Sequence, residues 1–238
     1  MKATSYGDHL FKLTRMWFVN MYFVQEEDGL TVIDSGMSGS ADGIVAAAQE
    51  LGRPVRRITL THAHVDHAGS LDALRELLPD AELVLPERTA VFLSGDTSLL
   101  LDEPQVQLEG CFVTAESRPD RTIAPGEMLG SLRVIAAPGH SPDQVAFFDE
   151  RDATLIAGDA FQTLGGFAVS GVMRWRFPMP AMATWHLPTA VQTARSLAAL
   201  EPARLAVGHG TVLNNPARAM AAGIAEAEGK LNGQAQTA

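Results

Sequence analysis

Four side chains able to ligate a metal, His62, His64, Asp66 and His67, fall within six consecutive positions of Thr61-His62-Ala63-His64-Val65-Asp66-His67-Ala68-Gly69. The apolar Ile58-Thr59-Leu60 precedes them and a helix-like stretch from Ser70 to Leu78 follows. Three imidazoles and a carboxylate so close together are unfavourable in a dry core unless a cation draws them together. Neutral imidazole and carboxylate oxygen are the ligands that zinc and its first-row neighbours take.

Three further apolar runs end in a residue of the same kind. Leu132-to-Ala137 leads through Pro138-Gly139 to His140, Ala153-to-Ala157 through Gly158 to Asp159, and Arg204-to-Val207 through Gly208 to His209. Short apolar runs closed by Gly or Pro read as buried strands. A glycine just before the ligand permits the turn that aims the side chain back over the sheet edge. A lone His behind a strand is ordinarily a structural, hydrogen-bonded residue. Three such strand ends beside a His cluster turn the reading toward ligation.

Taken in order, His-x-His-x-Asp-His, a Gly-His, a Gly-Asp and a final Gly-His resemble the metallo-β-lactamase superfamily, from the Asp34 strand to His209. The resemblance implies that His62, His64 and His140 ligate a first metal and that Asp66, His67 and His209 ligate a second. Asp159 would bridge the two. Thr31-to-Gly36 resembles the family's early strand, whose acid, here Asp34, would support the ligand loop from behind. The alternative for Asp34 is an N-cap for the helix Ala41-to-Leu51. The implied cofactors are two divalent ions, zinc or else manganese, iron or cobalt, since the same ligands accept all of these. Between such ions a bound water loses a proton near neutral pH, its pKa falling from about 15.7 toward 7. Asp66 would then act as a proton shuttle as well as a ligand, or as a ligand alone.

The elements that must position these groups follow from the pattern. Residues 9–34 read as antiparallel strands, and Ala41-to-Leu51 as a helix stopped by Gly52 and Pro54. A strand at 57–60 delivers the ligand loop, helix 70–78 follows, then strand 81–85 and a helix at about 87–94. Residues 95–128 carry no clear period. Strands at 131–137, 144–149 and 153–157, helix 188–200, strand 204–207 and a last helix opened by Pro216 complete the order, with 232–238 expected to fray. Sequence pattern alone gives α/β or α+β. The resemblance supplies α+β, a four-layer αββα sandwich, as a single domain over 1–238.

Between Phe161 and Trp185 no period organises the aromatic and Met residues, and Gly165-Gly166, Pro178 and Pro180 interrupt them. An irregular segment issuing from the Asp159 strand end is expected to wall an apolar substrate pocket through Phe161, Trp175 and Phe177, with Arg174 or Arg176 meeting a carboxylate. Packing in the core or in a homodimer interface is the alternative. His186 is expected at a helix N-terminus or pocket wall, and His9 at the surface.

Bulk composition restricts the partners. The 238 residues suffice for one sizeable core, and 46% hydrophobic with 19% charged is globular. A net charge of −10 and no basic run longer than Arg56-Arg57 speak against nucleic acid. Met16-to-Val24 is too short to span a bilayer, and no secretory leader is read at the N-terminus. The single cysteine, Cys111, fits a reducing cytoplasm and is expected as a buried small hydrophobe. No nucleophile elbow, phosphate loop or dinucleotide loop is present.

The family resemblance narrows the reaction. Phe161 stands where lactone hydrolases of the family place a Tyr near the bridging acid. The 29 residues after His209 (238 − 209) leave no room for the added helical domain of hydroxyacylglutathione hydrolases. The reading is a dinuclear hydrolase of a small ester, lactone or thioester with an apolar portion. A small-molecule phosphodiesterase and an iron-dependent oxidoreductase are the alternatives.

Overall fold

The computed structural model describes residues 1–235, with side chains through 233. The chain forms two compact units, Met1–Thr97 with Cys111–Ser131, and Ser98–Gly110 with Leu132 onward.

Unit 1 is built on a seven-stranded sheet. Its strands are β1 (Thr4–Tyr6), β2 (Leu10–Arg15), β3 (Val19–Gln25), β4 (Leu30–Ile33), β5 (Val55–Thr59), β6 (Glu82–Pro86) and β7 (Arg121–Ile123), in that order across the sheet. The first four pair antiparallel, while β4 to β7 run parallel, as crossovers through helices require. Strands β3 and β4 are buried along nearly their whole length. Asn20, the polar break in that apolar run, accepts a hydrogen bond from the Thr14 hydroxyl at 2.9 Å. The crossover helices are α1 (Ala41–Glu50), α2 (Val65–Ala68), α3 (Leu71–Leu77) and α4 (Glu87–Leu93); a short β8 (Met128–Leu129) ends the unit. Helix α1 buries Ala41, Ile44, Ala47 and Ala48, one face at helical spacing.

Unit 2 orders β15 (Leu213–Asn214), β14 (Arg204–Ala206), β11 (Thr154–Ile156), β10 (Val145–Asp149) and β9 (Leu132–Ala136) across one sheet. Strands β11 and β14 are parallel neighbours and the other pairs are antiparallel. A two-stranded ribbon, β12 (Phe161–Gln162) with β13 (Ala168–Val169), leads to α5 (Met179–Met182) and α6 (Leu187–Ala198), and α7 (Ala217–Ala235) closes the chain. Leu197 of α6 and Met220 and Ala227 of α7 share a buried cluster with Leu155, Leu205 and Phe161. Each large apolar side chain so buried contributes about 1.5–3 kcal/mol.

Most expected elements are present within two residues of their expected ends. The segment 95–128, read as aperiodic, contains β7 and the start of β8. Fraying was expected from 232, whereas α7 continues to Ala235, and 236–238 lie outside the described residues. Cys111 is exposed, not buried. Its neighbour Phe112 takes the inward place by bridging to His64, and alternation of side chains along an extended segment turns Cys111 outward. Among the described residues, no helix is long and apolar enough to cross a membrane.

Candidate functional site

In unit 1 the ligand segment leaves β5 after Thr59 and enters α2, with His64 as the helix N-cap. Asp34 stands just past β4, the parallel neighbour of β5, because Ile33 pairs with Thr59. Its backbone has φ 67°, a left-handed conformation that costs a non-glycine residue about 1–3 kcal/mol. Three hydrogen bonds hold it there. The Thr61 amide donates to Asp34 Oδ1 at 2.7 Å, the Thr61 hydroxyl reaches the same carboxylate at 3.0 Å, and His67 Nδ1 meets Oδ2 at 2.8 Å. Helix α1 is preceded by Ser40 as its N-cap, so the alternative N-cap role for Asp34 falls away.

These contacts set how the rings face. With its one proton directed at Asp34, the Thr61 hydroxyl accepts from His62 Nδ1 at 3.0 Å. His62 and His67 are therefore both anchored through Nδ1, the tautomer that leaves the Nε2 lone pair available to a metal. His64 is turned the other way, its Nδ1 lying 3.1 Å from His62 Nε2. Two nitrogens on one tetrahedral zinc lie about 3.3 Å apart, so this pair fits a shared ion. His62, His64 and His67 are all at most 3% exposed, and the His62 and His67 rings pack at 4.1 Å. The His67 carbonyl accepts from the Ser35 amide, the Gly36 amide and the Ser35 hydroxyl at 2.7, 3.1 and 3.0 Å. Asp66 is the accessible member: its side chain is 23% exposed, with Oδ2 3.7 Å from His67 Nε2.

In unit 2 the parallel pair β11 and β14 brings two candidate ligands side by side. Ile156 pairs with Ala206, and three residues beyond each come Asp159 and His209. The Gly208 amide donates to the Gly158 carbonyl at 2.8 Å, locking the two turns together. Asp159 Oδ2 lies 3.1 Å from His209 Nε2 and 3.5 Å from His140 Nε2, one carboxylate oxygen between two imidazoles. All three residues are at most 3% exposed. Gly139 has φ 135°, and a Cβ there would overlap the backbone of Ala190, so the turn into His140 requires glycine. At His209 the left-handed glycine is the one that follows, Gly210 with φ 112°, where a Cβ would collide with Thr163 and Leu164.

Several supporting residues had no sequence signal of their own. Gln144, 2% exposed, donates to the Ala137 carbonyl at 3.1 Å and accepts from the Asp159 amide at 3.2 Å, joining two ligand turns. The Ser170 hydroxyl donates to the Asp159 carbonyl. Thr61 and Ser35 support unit 1 as described, and Thr184 meets His140. Only the directly adjacent Thr61 could have been found from its place in the motif.

The residues expected to wall a substrate pocket have different fates. Phe161 is fully buried in the unit 2 core. Arg174 is bound to Glu226 at 2.7 and 2.6 Å and to the Phe167 carbonyl, so its guanidinium is committed within the unit. Glu226 holds the Arg174 pKa above its ordinary value. Phe177 is buried against the His209 ring, 5.1 Å between centroids, while Trp175 and Arg176 are exposed. His186 caps the N-terminus of α6, and burial lowers its pKa.

Comparison with known proteins identifies the family. A family model described as the Metallo-beta-lactamase superfamily matches residues 14–209. The chain is 46% identical over 211 residues to the uncharacterized protein YobT of Bacillus subtilis, covering 88% of this chain and 91% of that one. It is 28% identical to the "probable metallo-hydrolase YflN" of the same organism, over 80% of each. Among solved structures, a metallo-beta-lactamase from Pontibacter korlensis superposes with a TM-score of 0.70 at 16% identity, over 95% of this chain and 98% of that one. This likeness shows the α+β fold. The chain belongs to the metallo-β-lactamase superfamily.

Proposed function

We propose that this chain is a dinuclear metal-dependent hydrolase of a small carboxylic ester, lactone or thioester with an apolar portion. The observation that carries the reading is the anchoring of His62 and His67 through Nδ1 by Thr61 and Asp34, which spends buried hydrogen bonds on presenting Nε2. His62, His64 and His140 would hold one ion, Asp66, His67 and His209 the other, and Asp159 both. Two divalent ions held there would supply a water acidified toward neutral pH and an electrophilic grip on the substrate oxygen.

The protein's own groups do the rest. Thr61 and Asp34 keep the imidazoles in the ligating tautomer and exclude alternative ring positions. Asp66, partly exposed at the end of the segment, takes a proton from the attacking water and returns it to the leaving oxygen or sulfur. Exposed Trp175, two residues before the Phe177 that packs on His209, offers apolar surface to the acyl portion. The net charge of −10 favours small neutral substrates over polyanions.

The test is turnover of a panel of lactone, thioester, aryl ester, phosphodiester and β-lactam substrates by metal-loaded protein, beside the Asp66→Asn variant. Hydrolysis of an ester, lactone or thioester, lost in the variant and after chelation, is the expected result. Turnover confined to phosphodiesters would replace the substrate class. Undiminished turnover by Asp66→Asn would remove Asp66 from the chemistry.

A further inference from the structure

His140 reaches its place by a route unlike those of the unit 1 histidines. It sits in a tight turn after β9, yet two backbone clamps on it come from residues more than forty positions later. The Trp185 amide donates to the His140 carbonyl at 2.8 Å and the His186 amide to the Gly139 carbonyl at 2.9 Å. Between these clamps and α5 lies Thr184, whose hydroxyl lies 3.2 Å from His140 Nδ1.

The proton inventory of that hydroxyl is decisive. Thr184 Oγ1 donates to the Pro180 carbonyl at 2.6 Å, and a carbonyl can only accept. A hydroxyl has a single proton, so toward His140 it must accept. His140 therefore carries its proton on Nδ1, and Nε2, the nitrogen 3.5 Å from Asp159 Oδ2, holds the lone pair. Thr61 performs the same service for His62, with the Asp34 carboxylate in the place of the Pro180 carbonyl.

We infer that Thr184 is a positioning residue for metal ligation: it fixes the tautomer and direction of His140 from the α5 turn. The inference rests on His140 being a metal ligand. A hydrophobic side chain of the same shape would fill the space, lose the acceptor and free the ring to turn or to protonate Nε2 instead. Groups that orient a ligating histidine from behind are typically worth about 10–100-fold in metal affinity.

Two measurements test this without reading turnover. Histidine nitrogen shifts of the metal-free protein, with His140 assigned by substitution, should show the Nδ1–H tautomer; an Nε2–H tautomer overturns the inference. Zinc competition against a chromophoric chelator should show Thr184→Val about tenfold or more weaker for at least one ion, with Thr184→Ser close to the unsubstituted protein. Unchanged zinc affinity in Thr184→Val, with only a lower unfolding temperature of the metal-free protein, would mean a purely structural role and overturn it. Should Thr184→Val fail to fold, the nitrogen spectrum of the unsubstituted protein decides. Zinc binding without hydrolysis would sink the proposed reaction and leave Thr184 in place, whereas no zinc binding by the unsubstituted protein would sink both.

Discussion

The two units hold their proposed metal ligands by opposite means. Unit 1 concentrates four in one loop around the Asp34 carboxylate, which receives the Thr61 amide, the Thr61 hydroxyl and His67, with Ser35 and Gly36 holding the His67 carbonyl beside it. Unit 2 draws three from separate strand ends and secures them by register, through the β11–β14 pairing, the Gly208–Gly158 hydrogen bond and the Gln144 crosslink. A loop of that density gathers its side-chain contacts on one carboxylate, whereas residues spread over a sheet edge are held by backbone pairing at several points.

The contrast should appear first in Asp34→Ala. Removing the carboxylate leaves the Thr61 amide and His67 Nδ1 without their buried acceptor, at a cost of about 3 kcal/mol in unfolding free energy, and weakens metal binding about 10–100-fold. Denaturant titration and chelator competition read the two effects. A loss under 1 kcal/mol, or zinc affinity equal to the parent's, would mean that Asp34 is not the main anchor of the loop. Gln144→Leu should cost less, about 1–2 kcal/mol, because the strand pairing still holds both turns. A loss equal to that of Asp34→Ala would erase the distinction.

The smallest effect lies far from the ligands. The Arg174 hydrogen bond holds the Glu226 carboxyl below its ordinary range, against an opposing push from burial. Because the folded value is the lower one, the pair stabilises fully above the ordinary glutamate value and loses that contribution as pH falls through the folded value. Glu226 is 48% exposed, so solvent screening keeps the contribution to at most about 1 kcal/mol. Glu226→Gln should flatten the acid limb of the stability–pH profile by that amount, and an unchanged limb would show that the pair contributes nothing.

The same contrast explains what could be read from the chain beforehand. His62 to His67 are dense enough in ligand types to be legible without a fold, and the glycine-closed apolar runs exposed the strand ends at His140, Asp159 and His209. Most elements followed from period and from Gly and Pro stops, while the α+β class came from the family resemblance and not from the pattern. Gln144, Ser170 and Thr184 were invisible, because their role arises only when strand register brings them to a ligand turn. Arg174 and Phe161 misled for a related reason. Charge and aromaticity in an irregular segment suggested a pocket wall, and the fold spends one on Glu226 and the other on the unit 2 core. Cys111 was misplaced by a one-residue alternation set by Phe112.

Metal stoichiometry of the reconstituted protein bears most directly on the proposed dinuclear centre. Elemental analysis should find two divalent ions per chain, falling to at most one in Asp159→Ala, the carboxylate proposed to serve both ions. Two ions retained in Asp159→Ala, or none held by the unsubstituted chain, would contradict a shared centre.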